Sequence, residues 1–496
     1  MSEPRAVPTA LAAASTARPV FAIVKEKAAG CGAACGSAAA TAMPADLWAR
    51  VQDHPCYSEE AHHHFARMHV AVAPACNIQC HYCNRKFDCA NESRPGVVSE
   101  KLTPEQAARK VLAVAARLPQ LSVVGIAGPG DALANPARTF RTFELIRAAA
   151  PDLKLCLSTN GLALLDHVDA IRRYDIDHVT VTINMVDPEI GERIYPWVFY
   201  QHRRWKGREA SRILSERQLA GLEALTAAGV LVKVNSVLIP GVNDRHLAEV
   251  NRAVKERGAF LHNIMPLLSD PAHGTHYGLT GQRGPSATEL AALQEACGGG
   301  TQLMRHCRQC RADAVGMLGE DLSTEFALDR LGEVPAYDNE ARLAYRDYVE
   351  RERANQREAR QAELVRLRRL PDNIKVQLAV ATKSGGRVNQ HFGHAREFQI
   401  YEASAAGVRY LGQRKLPAYC QGGYDDEEAM PAILEALAGC SAVLVAKIGR
   451  CPRQQLERAG IEAVADYAHE SIEVAALKHF ERHALRQLAA SAVAAA

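Results

Sequence analysis

The chain has 496 residues, is 48% hydrophobic and 23% charged, and carries a net charge of +3. That length exceeds one ordinary core and predicts two or more domains; the small charge argues against a nucleic-acid protein driven by a basic surface, and no apolar run reaches the ~18 residues of a membrane span. The N-terminus, MSEPRAVPTALAAASTARPVF, lacks a compact basic-then-apolar signal segment, so the expected location is cytoplasmic. There, fourteen cysteines read as metal ligands or reactive thiols rather than disulfides.

Residues 1–45, rich in Ala, Pro, Ser and Gly, read as a disordered arm. Cys31 and Cys35 within it could bind metal, but no fold signal surrounds them. Residues 46–335 form the next unit. Inside it the runs RMHVAVAPA, LSVVGIAG, LKLCLST, HVTVTIN, VLVKVNSVLI and FLHNIMPL look like strands. Helix-length segments such as TPEQAARKVLAVAARL and SERQLAGLEALTAAG separate most of them. Alternation of this kind predicts parallel βαβ units in an α/β fold. Six units point to a partial (β/α)6 barrel, with an open doubly wound sheet as the competing architecture. Active residues of such barrels sit in loops after the strands. Here CNIQCHYC, GPGDALAN, Ser158 to Gly161, Asn184 with Asp187, and Pro240 to Asp244 all fall there.

A charged helical linker is expected over 336–372 and read as solvated. A small α/β domain follows over 373–484, built as strand, loop, strand, helix, strand, helix, strand. Residues 485–496 read as a disordered tail.

The cysteines cluster. Cys76, Cys80 and Cys83 stand in eight residues. A closed zinc site takes four ligands, and a four-iron cluster usually takes four cysteines, so three leave one metal corner open. The spacing CxxxCxxC directly after a first strand resembles the radical S-adenosylmethionine (SAM) superfamily. The resemblance implies that Cys76, Cys80 and Cys83 ligate a catalytic [4Fe–4S] cluster whose fourth iron binds SAM. Reductive cleavage of the sulfonium bond would then give a 5′-deoxyadenosyl radical, with the protein orienting the cofactor. It also makes the glycine-rich loop with Gly128, Gly130 and Asp131 a SAM-binding element. Tyr82, Ser158, Asn160 and Asn184 are further cofactor-binding candidates, each equally readable as a strand-end or loop residue.

Five more thiols accompany the loop: Cys56, Cys89, Cys156, Cys307 and Cys310. Lys154, Cys156 and Ser158 share one face of a strand by period-two alternation, which places Cys156 inside the barrel. His54, His62 and Glu92 are possible additional ligands. Five thiols are too few for two fully ligated four-iron clusters; incomplete ligation suits a protein that assembles clusters and releases a product. Cys297, Cys440 and Cys420 read as buried small hydrophobes.

HPCYSEEAHHHFARMHVAVAPACNIQCHYCNRKFDCANESRPG, AGPGDALAN, STNGL and HCRQCRADAVGMLGED together resemble the radical SAM family that builds the precursor of the nitrogenase iron–molybdenum cofactor. The C-terminal domain is similar to the ribonuclease H-like NifX-type family that binds this cofactor. The resemblance implies fusion of two [4Fe–4S] substrate clusters, with a carbide taken from a SAM methyl group and one extra sulfur. Cys56, Cys89, Cys156, Cys307 and Cys310 would hold those clusters, supplemented by His54 or His62, with Glu92 a ligand or proton acceptor. In HFGHA, it points to His391, and less to His394, as a cofactor-holding ligand; Cys420 and Cys451 are weaker alternatives. Implied partners are iron–sulfur cluster donors, carrier or scaffold proteins of nitrogenase assembly, and an electron donor such as a ferredoxin or flavodoxin. Two rivals stay open at this level: another radical SAM enzyme with auxiliary clusters, and a non-catalytic iron–sulfur carrier.

Overall fold

A computed structural model of the chain describes residues 44–84, 97–176, 178–298, 302–334, 337–416, 419 and 429–495. Cys31, Cys35, Cys89, Glu92 and Cys420 lie outside these residues. Six parallel strands form the larger sheet: β1 (Ala66–His69), β2 (Leu121–Ile126), β3 (Lys154–Thr159), β4 (His178–Thr182), β5 (Leu231–Leu238) and β6 (Leu261–Pro266). Each pairs with the next in chain order. A doubly wound sheet reverses its order at a switch point; this one does not. Short strands add to the two edges, Gln302–Leu303 beside β6 and Val315–Gly316 antiparallel to β1. These edges do not pair with each other among the described residues, so the barrel is partial.

Side chains alternate across every strand. On β5, Val232, Val234 and Leu238 enter the main apolar core, while Lys233, Asn235 and Val237 face a cavity on the concave side. The same division puts Leu155 and Leu157 of β3 in the core and Cys156 and Ser158 on the cavity. On β4, Val179 and Val181 pack in the core while Thr180 and Thr182 face inward. Both β1 (Arg67, His69) and β6 (Asn263, Met265) reach the same cavity, so the sheet curves round it. Helices cover the outside. The first, Pro104–Arg117, starts at a capping box in which Thr103 accepts from the Gln106 N–H and Gln106 answers at 2.8 Å.

The helix predicted for the linker spans Glu340–Leu367, but one side of it is buried rather than solvated. Arg353 donates to Gln52 O at 2.6 Å and pairs with Glu60 at 3.2 Å. Arg342 is paired with Asp152. Towards the other end Arg366 meets Glu481 at 2.7 Å. The charges that read as a solvated face are thus pins to both domains.

The second sheet holds β7 (Lys375–Val380), β8 (Glu397–Ser404), β9 (Gly407–Lys415), β10 (Ala442–Leu444) and β11 (Glu462–Val464), in the order β9-β8-β7-β10-β11. Apolar clusters cover both faces, one around Leu378 and Phe480, the other around Phe398 and Ile433. Two elements depart from the sequence reading. GVRYLGQRK forms β9, a half-buried hairpin strand whose polar residues hid it. The expected tail is helical, running Ile472–Ala495, because its Ala- and Leu-rich composition favours helix and its first turns bury Leu477 and Phe480.

The domains touch. Glu397 pairs with Arg308, Gln413 Nε2 donates to Cys307 O at 2.8 Å, and Gly385 N donates to His63 O at 2.7 Å.

Candidate active site

One cavity of about 240 Å³ fills the concave side of the larger sheet. Its upper end lies where the strands finish. Residues Ile78–Gln79 pair with the strand Trp197–Tyr200, and Gln79 Nε2 donates to the carbonyls of Cys80 and Cys83 at 3.0 Å each. These contacts shape the loop so that Cys76, Cys80 and Cys83 all open onto the cavity.

The glycine-rich loop is stitched to this segment. Gly130 N donates to Ala73 O at 2.7 Å and Asp131 N to Ala75 O at 2.8 Å. A Cβ on Gly130 would lie 2.1 Å from Ala75 O, so only glycine permits the approach. Gly128 stands behind this contact with φ +152°; Pro129, Gly130 and Asp131 form the wall. Asp131 is buried and accepts from the N–H groups of Leu133, Ala134 and Asn160 and from Thr159 Oγ1. Burial pushes its carboxyl up, and those donors oppose the shift. Asn160 Nδ2 donates to Asn77 Oδ1 at 2.7 Å and lies 3.7 Å from Cys76 Sγ.

The lower end is closed by the segment before β1. Tyr57 plugs it, donating to the carbonyls of Val179 (3.2 Å) and Leu231 (3.3 Å). This brings His54 and Cys56 to the cavity beside Cys156 of β3. Cys307 and Cys310 arrive from the loop before Val315–Gly316, and Arg67 donates to Cys310 Sγ at 3.1 and 3.3 Å. Burial pushes the Cys56 and Cys307 thiols up, and Cys156 up to about 12, while Lys233 pulls each of them down. His54 Nδ1 accepts from the Cys56 N–H at 3.2 Å; its Nε2 is buried with no partner among the described residues. Burial, then His178, hold this imidazole well below its ordinary range, the neutral state a metal ligand needs.

Among the described residues, seven cysteines therefore open onto one cavity, the three of the strand-end loop and four more, of which Cys307 packs against the same apolar cluster as Cys76 and Cys80. Residues 70–254 match the Radical SAM superfamily, and residues 375–482 match the family described as Dinitrogenase iron-molybdenum cofactor. The FeMo cofactor biosynthesis protein NifB of Herbaspirillum seropedicae is 63% identical over 90% of this chain and 86% of its own length. That of Rhodobacter capsulatus is 60% identical over 91% of this chain and 100% of its own. The protein of the same description from Bradyrhizobium diazoefficiens is 60% identical over 91% of each. The chain belongs to the NifB family.

Membership of the NifB family, within the radical SAM superfamily, fits the donor set. Three thiols, a glycine cradle, the buried Asp131 and the half-buried Asn160 suit a [4Fe–4S] cluster and SAM at the upper end. Four further thiols and the orphaned His54 Nε2 line or face the same cavity.

The other expected site residues are placed as follows. Tyr82 lines the cavity, and burial pushes its phenol well up. Asn184 stands one layer behind, donating to Tyr82 and Tyr195 hydroxyls at 2.8 Å each and accepting from Val237 N at 2.7 Å. Its place is to hold Tyr82. His62 is also outside the cavity, with its ring 4.9 Å from that of His306 and beside Tyr410 of the second domain. His391 lies in the second domain away from the cavity, its Nδ1 accepting from Gly393 N at 3.0 Å and its ring 5.0 Å from His394. Cys297 and Cys440 are buried and Cys451 is exposed.

Sequence reasoning missed the cations. Arg67, Lys233 and Arg308 all line the cavity. The period-two rule that placed Cys156 also places Lys233 inward, once β5 is recognised as a barrel strand.

No described helix is long and apolar enough to cross a membrane.

Proposed function

We propose that this chain fuses two [4Fe–4S] substrate clusters, with a carbide from a SAM methyl group and one extra sulfur, into NifB-co, the precursor of the iron–molybdenum cofactor. The observation that supports it is the single cavity joining the three-cysteine loop to four further cysteines. When bound, the [4Fe–4S] cluster and SAM supply the electron, the methyl group and the hydrogen-abstracting radical. Cys76, Cys80 and Cys83 hold that cluster. Gly130 lets the loop close on SAM, and Asp131 fixes the backbone of residues 133, 134 and 160 around it. Cys56, Cys89, Cys156, Cys307 and Cys310 hold the substrate clusters, His54 supplements them, and Glu92 is a further ligand or the proton acceptor. Arg67 orients the Cys310 sulfur. His391 receives product in the second domain, for transfer to a carrier or scaffold protein of nitrogenase assembly. Cluster donors and a ferredoxin or flavodoxin supply iron, sulfide and electrons.

The test uses anaerobic, cluster-reconstituted protein given SAM labelled in the methyl group, dithionite and sulfide. The expected products are 5′-deoxyadenosine, S-adenosylhomocysteine and labelled carbon in an extractable iron–sulfur cluster. Deoxyadenosine alone points to another radical SAM substrate; neither nucleoside returns the carrier reading.

A further inference from the structure

Among the described residues three cations line the cavity, Arg67, Lys233 and Arg308, and they differ in what neutralises them. Arg67 is occupied by Cys310 Sγ and by the carbonyls of Gly316 (2.6 Å) and Glu320 (3.1 Å). Arg308 is paired with Glu397 of the second domain. Lys233 is 7% exposed, sits 5.6 Å over the Tyr57 ring, and has no hydrogen-bond or ion-pair partner among the described residues. A buried ammonium without an anion is costly, and a phenol ring compensates only in part. Across the strands it stands beside Thr180 of β4, and the thiols of Cys56, Cys156, Cys307 and Cys310 share its cavity. Its charge is felt by Cys56, Cys156 and Cys307, which come from the plug, from β3 and from the late cysteine loop. Lys233 thus shares one cavity with cysteines of all three segments. The only carboxylate among the described residues lining the cavity, Asp131, belongs to the upper end and is satisfied by its own loop and by Thr159 and Asn160 at the end of β3.

We propose that Lys233 is the recognition residue for anionic iron–sulfur substrate, supplying at the lower end the counter-charge shared by clusters held on the Cys56–Cys156 side and the Cys307–Cys310 side. The inference rests on the reading of that end as the substrate-cluster site. A thiolate-ligated iron–sulfur cluster is an anion, and the fused product concentrates that charge where the two halves meet. A single cation reaching both sides favours their approach.

The experiment compares wild type with K233M, K233Q and K233R after anaerobic reconstitution with ferrous iron and sulfide, without SAM. Iron and acid-labile sulfide are counted, and midpoint potentials are read by redox titration with electron paramagnetic resonance. K233M and K233Q should lose at least half of the iron beyond that held by the three-cysteine loop. Their remaining lower-end clusters should titrate at more negative potential, because reduction adds charge no longer offset. The signal of the three-cysteine cluster should persist, and K233R should restore both quantities. K233Q keeps a hydrogen-bond donor without the charge, so wild-type behaviour in K233Q would overturn the proposal. So would wild-type iron and potential in K233M, or failure of K233R to rescue a folded protein. A wild type that holds its lower-end clusters yet puts no labelled carbon into them defeats the functional reading alone and leaves this comparison intact.

Discussion

The two ends of the cavity are built on opposite terms. At the upper end the polar groups are spoken for: Asp131 by four donors, Asn160 by Asn77, Tyr82 by Asn184. At the lower end the His54 Nε2 has no partner among the described residues, the Lys233 ammonium lies over the Tyr57 ring with no hydrogen-bond or ion-pair partner among them, and burial pushes the Cys56 and Cys156 thiols up. A site satisfied from within keeps its shape before its ligand arrives; a site left short of partners gains most when a guest enters. The first arrangement suits a resident group, the second a substrate that comes and leaves. The sharpest way to break this contrast is Cys80→Ala. It should abolish 5′-deoxyadenosine release, by at least ~1,000-fold, while the lower end keeps its iron. Loss of both in the same variant, by iron count and nucleoside assay, would mean that the ends are one cooperative site.

Acid should loosen the lower half first. His64, just before β1, and His262, on the second residue of β6, are buried imidazoles that burial pushes down to about 3 and about 4. Unfolded histidine takes a proton below its ordinary 6.5, whereas these sites resist it. Their contribution is complete above pH ~6.5 and is lost as pH falls towards 3 to 4, by up to about 2 kcal/mol each at pH 5. Hydrogen exchange at pH 7 and pH 5 checks this. Peptides around residues 61–66 and 259–264 should lose protection before those covering 76–84, and the reverse order would refute the assignment.

Gly130→Ala probes the upper end. The added methyl would sit 2.1 Å from Ala75 O and 2.8 Å from Pro74 O, both backbone atoms that cannot step aside cheaply. Overpacking of this kind costs about 1–3 kcal/mol. The loops should separate, lowering the melting temperature and weakening SAM binding by ~10-fold or more at unchanged lower-end iron. Wild-type SAM affinity by calorimetry would show that the close approach is incidental.

How far this was readable in advance differs along the chain. Six strands separated by helices were legible because apolar residues alternate with inward polar ones, and Cys156 was placed inside on that ground alone. Lys233 obeys the same alternation, but a lone lysine in a strand has the pattern of a solvent-facing residue until the sheet curves and makes that side an interior. Asn184 was legible as a strand-end residue; its place behind Tyr82 depends on Tyr195, eleven residues away, and on the packing of both rings. Polar β9 escaped notice because it is held by antiparallel pairing with β8, a partner that no local pattern announces. The linker arginines looked solvated for a similar reason: Asp152, Glu60 and Glu481, which neutralise them, are far away in sequence.

The smallest test concerns how the second domain enters the contrast. Arg308 lines the lower end, yet its counter-ion Glu397 is on β8, and Cys307 O is held by Gln413 of β9. One hairpin of the second domain thus finishes the wall of the guest end. Arg308 is nearly inaccessible at 5%, whereas Glu397 is 28% exposed, so water recovers part of what the pair loses. Glu397→Gln keeps the shape and a hydrogen-bond acceptor and should cost only about 1 kcal/mol. Read as exchange, that is a ~5-fold faster opening of residues 304–310 and 397–415 together, with residues 76–84 unmoved. Coupled opening would make the second domain a movable part of the lower-end wall. Opening of the hairpin alone would reduce it to a neighbour, and the lower end would then stand on the barrel's own residues.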